Sequence, residues 1–396
     1  MANVSSSNGL EKRPKLRFPG FDEPWNIYKA EELFKNVADK NHPTETVLTI
    51  IQGKGTLPRE QAGRNIHYDD ASLANYKKVE QGDFIIHLRS FEGGLEMANE
   101  DGIVSPAYTI LRCKNPHSSL FYEAYFHTDE FINHILSKSV EGIRDGRQIS
   151  YEAFKWLGLP YCDVSEQEKI AQLFCTLGHR IEKQQQMVDA LKKYKRGVMR
   201  AIFRDKAMLV SKTAKWKSVR LGTECTFFSG GTPKSTDSRY YGGTIPFIRS
   251  GEIHGEQTEL FLSSEGLKNS SAKMVSKGDL ILALYGATSG EVDISRIDGA
   301  INQAILCIRP AEINRIFLKY LLEDSKDDIL NTYLQGGQGN LSAEIIKSLV
   351  VDVPDEQSQQ GVVDFLSIID QRISNSLTCI ETLMKLRGGL MQQLFI

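Results

Sequence analysis

The chain has 396 residues, of which 41% are hydrophobic and 25% are charged, and its formal net charge is −2. A chain of this length and composition buries more than one core, so we expect at least two globular domains. The chain as a whole has no excess of Lys and Arg for neutralising phosphates, so the local distribution of charge is more informative than the total. The six cysteines stand singly and the histidines lack ligand spacing, which predicts no metal site and a reducing cytoplasm.

The N-terminal segment, residues 1–17, begins with a short, polar, Ser-rich stretch that lacks the apolar region of a secretion signal. We expect this segment to be flexible. No later stretch approaches the roughly 18 apolar residues that a membrane span needs, so we expect no membrane contact.

Residues 18–163 mix short β-patterned runs with Gly-rich turns and a few helical patterns, which predicts a first α+β domain. Val79–Ile86 has the pattern of a turn followed by a buried strand, and the loop Arg89–Gly94 follows it. Phe121–Phe126 is an apolar helical run. Ser150 and Ser342 occupy matching positions in the two halves, and each is followed by an acidic residue in the first turn, which predicts two helix starts with serine as the N-cap.

Residues 164–206 carry apolar side chains at alternating spacings of three and four, which predicts a long helix with one heptad seam. Ser165–Glu168 has capping-box spacing at its start. The seam is interrupted by Gln184 and Lys195, and Ser376 and Arg387 stand at the matching places near the end of the chain. Buried polar groups at these four positions would fix the register. A basic stripe runs from Lys192 to Arg220, and a solvated helix face is the alternative interpretation of that stripe.

Residues 207–353 have the composition of a second α+β domain. Val275–Leu282 repeats the turn and buried strand of the first domain, and the loop Tyr285–Gly290 follows it. A Gly-rich segment, Ser229–Pro233, lies upstream. The second domain therefore follows the order of the first.

Residues 354–396 predict a second long helix, with Asp355 as its N-cap. Arg180 matches Arg372 at an offset of 192 (372 − 180 = 192), and the same offset holds along the two seams without gaps. Glu166-Gln167 matches Glu356-Gln357 at a smaller offset, which predicts a gain of two residues in the second copy. The predicted helix–helix seam consists of Ile181, Val188, Leu191, Val198, Ile373, Ile380, Leu383 and Leu390.

The duplication predicts a domain, a long helix, a domain and a long helix, with pseudo-twofold symmetry. Two helices that each have one apolar seam bury those seams most simply by packing against each other. Because a domain lies between them in the chain, an antiparallel coiled coil is the easier geometry. A coiled-coil scaffold whose two domains bind protein partners is the alternative function.

Several segments resemble enzyme motifs but lack residues that those motifs require. Gly230–Ser235 lacks the glycine that a phosphate-binding loop has before its lysine. Asn115-Pro116-His117 is not the tetrapeptide of amino-methyltransferases, and Gly336–Gly339 lacks the context of a dinucleotide fold. We therefore expect no catalytic site and no cofactor in this chain.

The duplicated order, the Ser229–Pro233 segment and the two helix signatures, including Pro354–Gln357 and Leu390–Phe395, resemble the specificity (S, HsdS) subunits of type I restriction-modification systems. The resemblance covers nearly the whole chain. It implies two target recognition domains that each read half of a split double-stranded DNA sequence, joined by helices that set the gap. It also implies docking onto two methyltransferase (HsdM) subunits and onto restriction (HsdR) subunits. S-adenosylmethionine, ATP and Mg²⁺ would be bound by those partners, and the assembled complex would methylate adenine and cleave DNA.

Arg and Lys can recognise guanine, and Asn and Gln can recognise adenine. On this basis we predict eleven DNA-binding residues, which are Arg59, Arg64, Tyr68 and Arg89 in the first domain and Lys234, Tyr240, Arg249, Tyr285, Thr288, Asn302 and Gln303 in the second. Packing of the tyrosines and capping of a strand end by Asn302 and Gln303 are the structural alternatives.

Overall fold

The structure, a computed structural model, describes residues 11–62, 70–142, 148–206, 215–333 and 340–395. The chain divides into two compact units, of which the first is Met1–Gln185 with Thr378–Ile396 and the second is Gln186–Leu377. The two divisions fall inside the two long helices, so each unit contains one globular domain and one part of each helix. The five segment boundaries given above remain predictions.

The strands of the first unit are short and are joined by turns and short helices. In chain order they are β1 (Glu11–Lys12), β2 (Trp25–Lys29), β3 (Phe34–Val37), β4 (Leu48–Ile51), β5 (Gly55–Pro58), β6 (Lys77–Val79), β7 (Phe84–Ile86), β8 (Glu96–Met97), β9 (Gly102–Val104), β10 (Thr109–Cys113), β11 (Val140–Glu141), β12 (Gln148–Ile149) and β13 (Gly158–Tyr161). The helices are α1 (Ala30–Leu33), α2 (Ser90–Gly93), α3 (Ser119–Phe126), α4 (Tyr151–Phe154) and the long α5 (Val164–Phe203), which continues into the second unit.

The second unit is built from the same kinds of element. Its strands are β14 (Lys217–Arg220), β15 (Cys225–Ser229), β16 (Tyr241–Ile248), β17 (Phe261–Leu262), β18 (Lys273–Val275), β19 (Leu280–Ala283), β20 (Val292–Ile294), β21 (Gly299–Ile301), β22 (Ile305–Pro310) and β23 (Val350–Val353). Its helices are α6 (Leu221–Glu224), α7 (Ser264–Lys268), α8 (Arg315–Tyr333), α9 (Ala343–Ser348) and the long α10 (Glu356–Phe395), which ends in the first unit.

The central sheets of the two units have the same topology. The strand order is β3-β10-β7-β8 in the first unit and β15-β22-β19-β20 in the second, with all neighbours antiparallel. A second sheet pairs β6 with β9 in the first unit, and its equivalent in the second unit pairs β18 with β21 within the four-stranded order β17-β16-β21-β18. The predicted α+β class, with two alike domains each followed by a long helix, is confirmed.

Alternation along β19 explains how the central sheet of the second unit is buried on both faces. Leu280 and Leu282 belong to the larger core of this unit, whereas Ile281 and Ala283 belong to a separate cluster on the other face. Successive side chains of a strand point to opposite faces, so a continuous apolar run fits a sheet that is covered on both sides.

The long helices bury one stripe in each core. In the first unit, Phe174 of α5 stacks on Phe395 of α10 with ring centroids 5.9 Å apart. In the second unit, the Ser376 hydroxyl donates to Met187 Sδ at 3.8 Å and Lys195 Nζ lies 2.8 Å from Asp370 Oδ1. Residue numbers rise along α5 as they fall along α10 in these two contacts, so the two helices run antiparallel within the second unit.

The seam residues differ in burial. Val188 and Ile380 are buried, and the other six predicted seam residues are half-buried. Leu383 and Leu390 pack against the core of the first unit, whereas Val198 and Ile373 pack against the core of the second. Apolar side chains at heptad spacing thus supply both cores.

The two basic interruptions of the seam have different surroundings. Lys195 is buried and bonds to Glu323 at 2.8 Å in addition to Asp370. Arg387, at the equivalent position of α10, is exposed, so the prediction of a buried group there is wrong. The first repeat has His127 and Gly178 where the second has Glu323 and Asp370. The two carboxylates that bind Lys195 therefore have no acidic counterparts at the matching positions of the first repeat.

A buried aspartate stabilises the same turn in both units. Asp83 accepts two bonds from Arg112, at 2.9 and 2.7 Å, and Asp279 accepts two from Arg309, at 3.0 and 2.7 Å. Each carboxylate also accepts the backbone N–H three residues earlier, at 2.9 Å. The aligned Gly-Asp pairs of the sequence are therefore equivalent in their contacts.

The predicted starts of α4 and α9 are confirmed. Ser150 accepts a bond from the Ala153 N–H, and Ser342 accepts one from the Ile345 N–H. Each serine satisfies a backbone donor that has no partner within its own helix.

The predicted start of α5 is wrong in its cap and in its register. Asp163 is the cap, because its carboxylate accepts the Ser165 N–H at 2.8 Å. Asp355 accepts the Ser358 N–H at 3.0 Å. The two caps lie 192 residues apart (355 − 163 = 192), so the offset of the helices extends to their first residues.

A buried glutamine confirms this offset. The Gln167 side chain donates to the Cys162 carbonyl at 2.9 Å, and the Gln359 side chain donates to the Pro354 carbonyl at 2.9 Å. Gln167 therefore corresponds to Gln359, and the predicted gain of two residues is wrong. The match of Glu166-Gln167 to Glu356-Gln357 rested on residue identity and gave the wrong register. Helix geometry decides which glutamine side chain can reach the carbonyl of the preceding loop.

Residues 11–17 are the described part of the N-terminal segment, and they are held in place by hydrogen bonds. This differs from the prediction that residues 1–17 are flexible. Arg17 donates to both oxygens of Glu166, at 2.9 and 2.7 Å, and Trp25 Nε1 donates to the same carboxylate at 2.9 Å. The Leu16 N–H donates to the Gln393 carbonyl of α10 at 3.0 Å. Glu166 is 1% exposed, so its charge depends on these donors.

We predict that Glu166→Ala lowers the free energy of unfolding by about 3 kcal/mol, because it leaves Arg17 and the Trp25 N–H without their acceptor. Urea unfolding followed by tryptophan fluorescence measures this change. Glu168→Ala, which removes an exposed carboxylate from the same turn of α5, is expected to change stability by no more than about 0.5 kcal/mol. Equal losses in the two variants would contradict the role given to Glu166.

Candidate nucleic-acid interface

Strand directions bring three loops of the second unit to one end of its central sheet. β15 and β19 are both antiparallel to β22, so both strands end where β22 begins. The segments after Ser229 and after Ala283 therefore meet the turn that precedes Ile305. β16 runs parallel to β21 with Ile248 opposite Ile301, so both of these strands also end at the same edge.

Six of the seven residues predicted in the second domain lie in segments that leave the strands at this end. They are Lys234, Arg249, Tyr285, Thr288, Asn302 and Gln303. Tyr240 lies instead in a single turn, Ser238–Tyr240, at the start of β16, and it is half-buried. Which of these side chains contact DNA remains a prediction.

The Ser229–Pro233 segment is docked on the turn that contains Asn302 and Gln303. The Gly230 N–H donates to the Asn302 carbonyl at 3.2 Å, and the Thr232 hydroxyl donates to Gln303 Oε1 at 2.7 Å. A Cβ atom on Gly230 would lie 1.7 Å from the Ile301 carbonyl oxygen. Glycine is therefore required here by the close approach of two backbones.

The other end of the same segment is fixed by an aromatic side chain. The Tyr241 hydroxyl donates to the Pro233 carbonyl at 2.8 Å, while the following Lys234 is exposed. Sequence reasoning missed Thr232 and Tyr241 as parts of this surface. The Gly-rich motif was a signal for the segment, but only the fold shows which neighbours hold it.

Arg249 already has acidic partners. It bonds to Glu252 at 3.0 and 3.1 Å and to Glu259 at 2.5 Å, and the bonds to Glu252 and then Glu259 raise its pKa. These bonds use Nε and Nη2, so a base or phosphate that binds the guanidinium through either of those nitrogens replaces a carboxylate and requires comparable hydrogen bonds in exchange.

The loop after β19 has one packed and one exposed part. Tyr285 packs against the larger core of the second unit, as the structural alternative for this residue holds. Gly286 follows with φ of +83°, a conformation that favours glycine, and Thr288 is half-exposed. The Leu284 N–H donates to the Ala304 carbonyl at 2.7 Å, which joins this loop to the start of β22.

The first unit has the same convergence, since β3 and β7 both end where β10 begins. Arg89 lies in the loop after β7 with 71% of its side chain exposed, and its Nε is 3.4 Å from Glu92. Arg59 follows β5 and lies over the Tyr76 ring, 5.9 Å from its centroid. Arg64 and Tyr68 lie outside the described residues.

Part of the basic stripe is neutralised within the second unit. Lys195 is buried against Glu323 and Asp370, and Arg204 pairs with Asp324 and Asp328, at 3.3 and 2.9 Å. Four further cations of the stripe lie on α5 and are exposed, namely Lys192, Lys193, Arg196 and Arg200. The stripe is therefore partly a structural ion-pair network and partly an exposed basic face.

The described ranges contain no membrane-spanning helix and no cluster of metal ligands. No helix within them is long and apolar enough to cross a membrane. No group of three or more His, Cys, Asp or Glu residues within them is placed to hold a metal ion.

Residues 213–382 match the family model of the type I restriction modification DNA specificity domain. The type I restriction enzyme MjaIX specificity subunit of Methanocaldococcus jannaschii is 26% identical over 178 residues, an alignment that covers 42% of this chain and 40% of that protein. The chain thus matches less than half the length of this curated relative.

Two solved structures are similar over nearly the whole chain. The type I restriction-modification system S subunit from M. genitalium has a TM-score of 0.61 at 16% identity, with 96% of this chain and 98% of that chain covered. A chain from a structure that addresses complex assembly and conformational transition of the type I R-M system has a TM-score of 0.57 at 16% identity, with 96% and 99% covered. At this identity the likeness shows the fold.

We predict that Gly230→Ala lowers stability by about 1 to 3 kcal/mol, because the new methyl group would force the docked segment away from the Ile301 carbonyl. Thermal unfolding measures the loss, and chemical shifts of Asn302 and Gln303 report the displacement. Gly251→Ala is the matched control, since a Cβ atom there meets nothing within 4 Å. Unchanged Asn302 and Gln303 shifts in Gly230→Ala would contradict the docking.

Proposed function

We infer that this chain is a specificity (S, HsdS) subunit of a type I restriction-modification system and that it selects the DNA sequence on which the assembled enzyme acts; the family-model match, the curated relative and the shared fold support this proposal. Each of its two domains reads one half of a bipartite target in double-stranded DNA. The two long helices set the unread spacer and carry the surfaces on which the other subunits dock.

The observation that best supports this proposal is that loops converge at the same end of the central sheet in both units. In the second unit these loops present a guanidinium, amides, a hydroxyl and an exposed ammonium, from Arg249, Asn302, Gln303, Thr288 and Lys234. These groups supply the donors and acceptors that distinguish base edges in the major groove. The alternative of a scaffold for protein partners lacks a comparable match, because the family model concerns DNA specificity.

The partners and chemistry follow from the proposed family role. The chain itself is a non-catalytic subunit. We propose that two methyltransferase (HsdM) subunits bind S-adenosylmethionine and methylate adenine, and that restriction (HsdR) subunits use ATP and Mg²⁺ for cleavage. The complex would act in the cytoplasm, where its DNA lies.

We predict that each domain controls one half of the methylated sequence. Arg249→Gln or Asn302→Ala should relax or change one half-site, since a lost bidentate contact costs about 1 to 3 kcal/mol of discrimination, and should leave the other half unchanged. Arg89→Gln should do the reverse. Methylome sequencing of cells that express the complete system measures both halves at once.

Lys347→Gln is the control for these variants, because Lys347 pairs with Glu344 on α9 and lies outside the converging loops. It should leave both half-sites intact. A methylome in which Arg249→Gln and Asn302→Ala alter neither half would count against the placement of the reading surface. A wild-type system without a bipartite motif would count against the function.

We also predict that the first long helix determines the spacer. Insertion of four residues after Ala190 of α5 adds about one turn, or 5.4 Å, and should lengthen the unread gap by one or two base pairs. The same methylome assay reports the gap. An insertion mutant that still methylates with the original gap would contradict the role of this helix in spacing.

A further inference from the structure

A buried carboxylate occupies the same place in the central sheet of both units. The pairing of β7 with β8 sets Glu96 opposite Ile85, and the pairing of β19 with β20 sets Asp293 opposite Ile281. Ile85 and Ile281 each lie two residues after the equivalent buried aspartates, Asp83 and Asp279. The Glu96 side chain is fully buried, and that of Asp293 is 14% exposed. The sequence alignment did not single out either carboxylate.

In the first unit, Glu96 joins a hairpin to a helix. Its two oxygens accept the N–H groups of Gly53 at 2.7 Å and Gly55 at 2.9 Å, both in the β4–β5 hairpin. Strand β5 continues directly into Arg59, a predicted DNA-binding residue. On the other side, Glu96 Oε1 lies 3.3 Å from His127 Nε2, at the end of α3.

Helix α3 is itself packed against the end of α10. The rings of Phe121 and Tyr125 lie 5.3 and 5.6 Å from the ring of Phe395. Glu96 therefore links the segment that leads to Arg59 with an element fixed on a long helix.

In the second unit, Asp293 makes the equivalent link with different partners. His254, five residues after Arg249, donates from Nδ1 to Asp293 Oδ2 at 2.8 Å. Lys319 of α8 lies 3.9 Å from Asp293 Oδ1 and 3.7 Å from Asp370 of α10. The segment that follows Arg249 is thus tied to a helix that contacts α10.

Both histidines face two acceptors, which favours the doubly protonated ring. His127 has the Glu123 carbonyl 2.8 Å from Nδ1 and Glu96 3.3 Å from Nε2, so a ring that bonds to both acceptors donates from both nitrogens. The other titratable side chains near this ring are the Glu123 carboxyl of α3 and His87 after β7. Burial lowers the pKa of His127, but the bond to Glu96, the charge of Glu96 and the carbonyl and carboxyl of Glu123 together raise the pKa by more, so the net pKa is raised.

The same argument holds in the second unit. Nδ1 of His254 faces Asp293 at 2.8 Å and Nε2 faces Glu291 at 3.4 Å. The bond to Asp293 raises the pKa of His254. The cations that share these carboxylates are Lys319 and Lys326 of α8 and Arg296.

We propose that Glu96 and Asp293 are positioning residues, each of which holds the segment next to a DNA-reading arginine, Arg59 or Arg249, with the help of a protonated histidine. This inference rests on the proposed function. A raised histidine pKa means that the link is complete at low pH and weakens as the pH rises through that pKa, where one donor is lost. Discrimination of each half-site should therefore decline with rising pH.

The test uses the chain in complex with its methyltransferase subunits. Its target duplex, identified by methylome sequencing, is compared with two duplexes in which one or the other half-site is scrambled. Binding is measured between about pH 5.5 and about pH 8.5 at constant salt. Glu96→Gln should lower the preference for the first half-site by about tenfold and leave the second unchanged, and Asp293→Asn should do the reverse.

The chain offers matched controls for both substitutions. Glu152 and Glu344 are exposed carboxylates at equivalent positions in the first turns of α4 and α9. Glu152→Gln and Glu344→Gln should keep the wild-type preference and its pH profile. His127→Gln and His254→Gln retain a donor that does not titrate, and should flatten the pH dependence of the corresponding half-site.

A readout independent of DNA keeps the proposal open to refutation. Glu96→Gln should speed hydrogen exchange of the Gly53 and Gly55 amides, measured by mass spectrometry on peptides that cover β4 and β5. If that variant does not fold, His127→Gln and the pH profile of the wild type supply the test. Protected amides together with unchanged half-site preferences would overturn the proposal.

The two proposals fail in different ways. A wild-type complex that discriminates neither half-site at any pH would refute the proposed function and, with it, the positioning roles. A wild-type complex whose discrimination of each half-site does not change with pH would refute the positioning roles and leave the proposed function intact.

Discussion

Each long helix has a single apolar stripe that must be buried, and the sequence divides that stripe between two cores. Phe174 and Leu177 at the start of α5 lie in the same core as Phe395 at the end of α10. Met199 near the end of α5 lies in the same core as Leu366 near the start of α10. Since most helical stability in proteins comes from packing of the apolar face, each helix relies on both globular domains to bury its stripe. Each unit is therefore completed by chain from the other half of the sequence.

This sharing gives the two halves equal architecture but leaves them free to differ in side-chain chemistry. The turn held by Asp83 and Arg112 is repeated by Asp279 and Arg309 with nearly the same distances. Elsewhere the equivalent positions diverge, as Lys195 is buried among carboxylates while Arg387 is exposed. Strand pairing and burial of the core keep the backbone of the two repeats alike. The partner of a polar side chain differs between the repeats where the neighbouring residue differs.

The candidate interface follows from strand direction more than from individual residues. Antiparallel pairing with β22 requires β15 and β19 to end together, so the loops after them meet whatever their sequences are. Loops at one end of a rigid sheet can then vary without disturbing the core. Glu96 and Asp293 connect that variable end to the helices, because each accepts hydrogen bonds from a segment next to a predicted DNA-binding arginine, or from a histidine within it, and each also lies near a cationic or histidine side chain of a helix.

The sequence by itself determined the duplication, the two long helices, the order of domains and the serine caps of α4 and α9, because these depend on local periodicity and on contacts within a few residues. Only the tertiary structure decided that Asp163 caps α5, that Gln167 corresponds to Gln359, and that Arg249 is already bound by acidic partners. These features depend on groups that are distant along the chain or on helix geometry, and residue identity alone does not specify either. For the same reason the predicted DNA-binding residues were named by chemical type, and their positions were fixed only by the sheet.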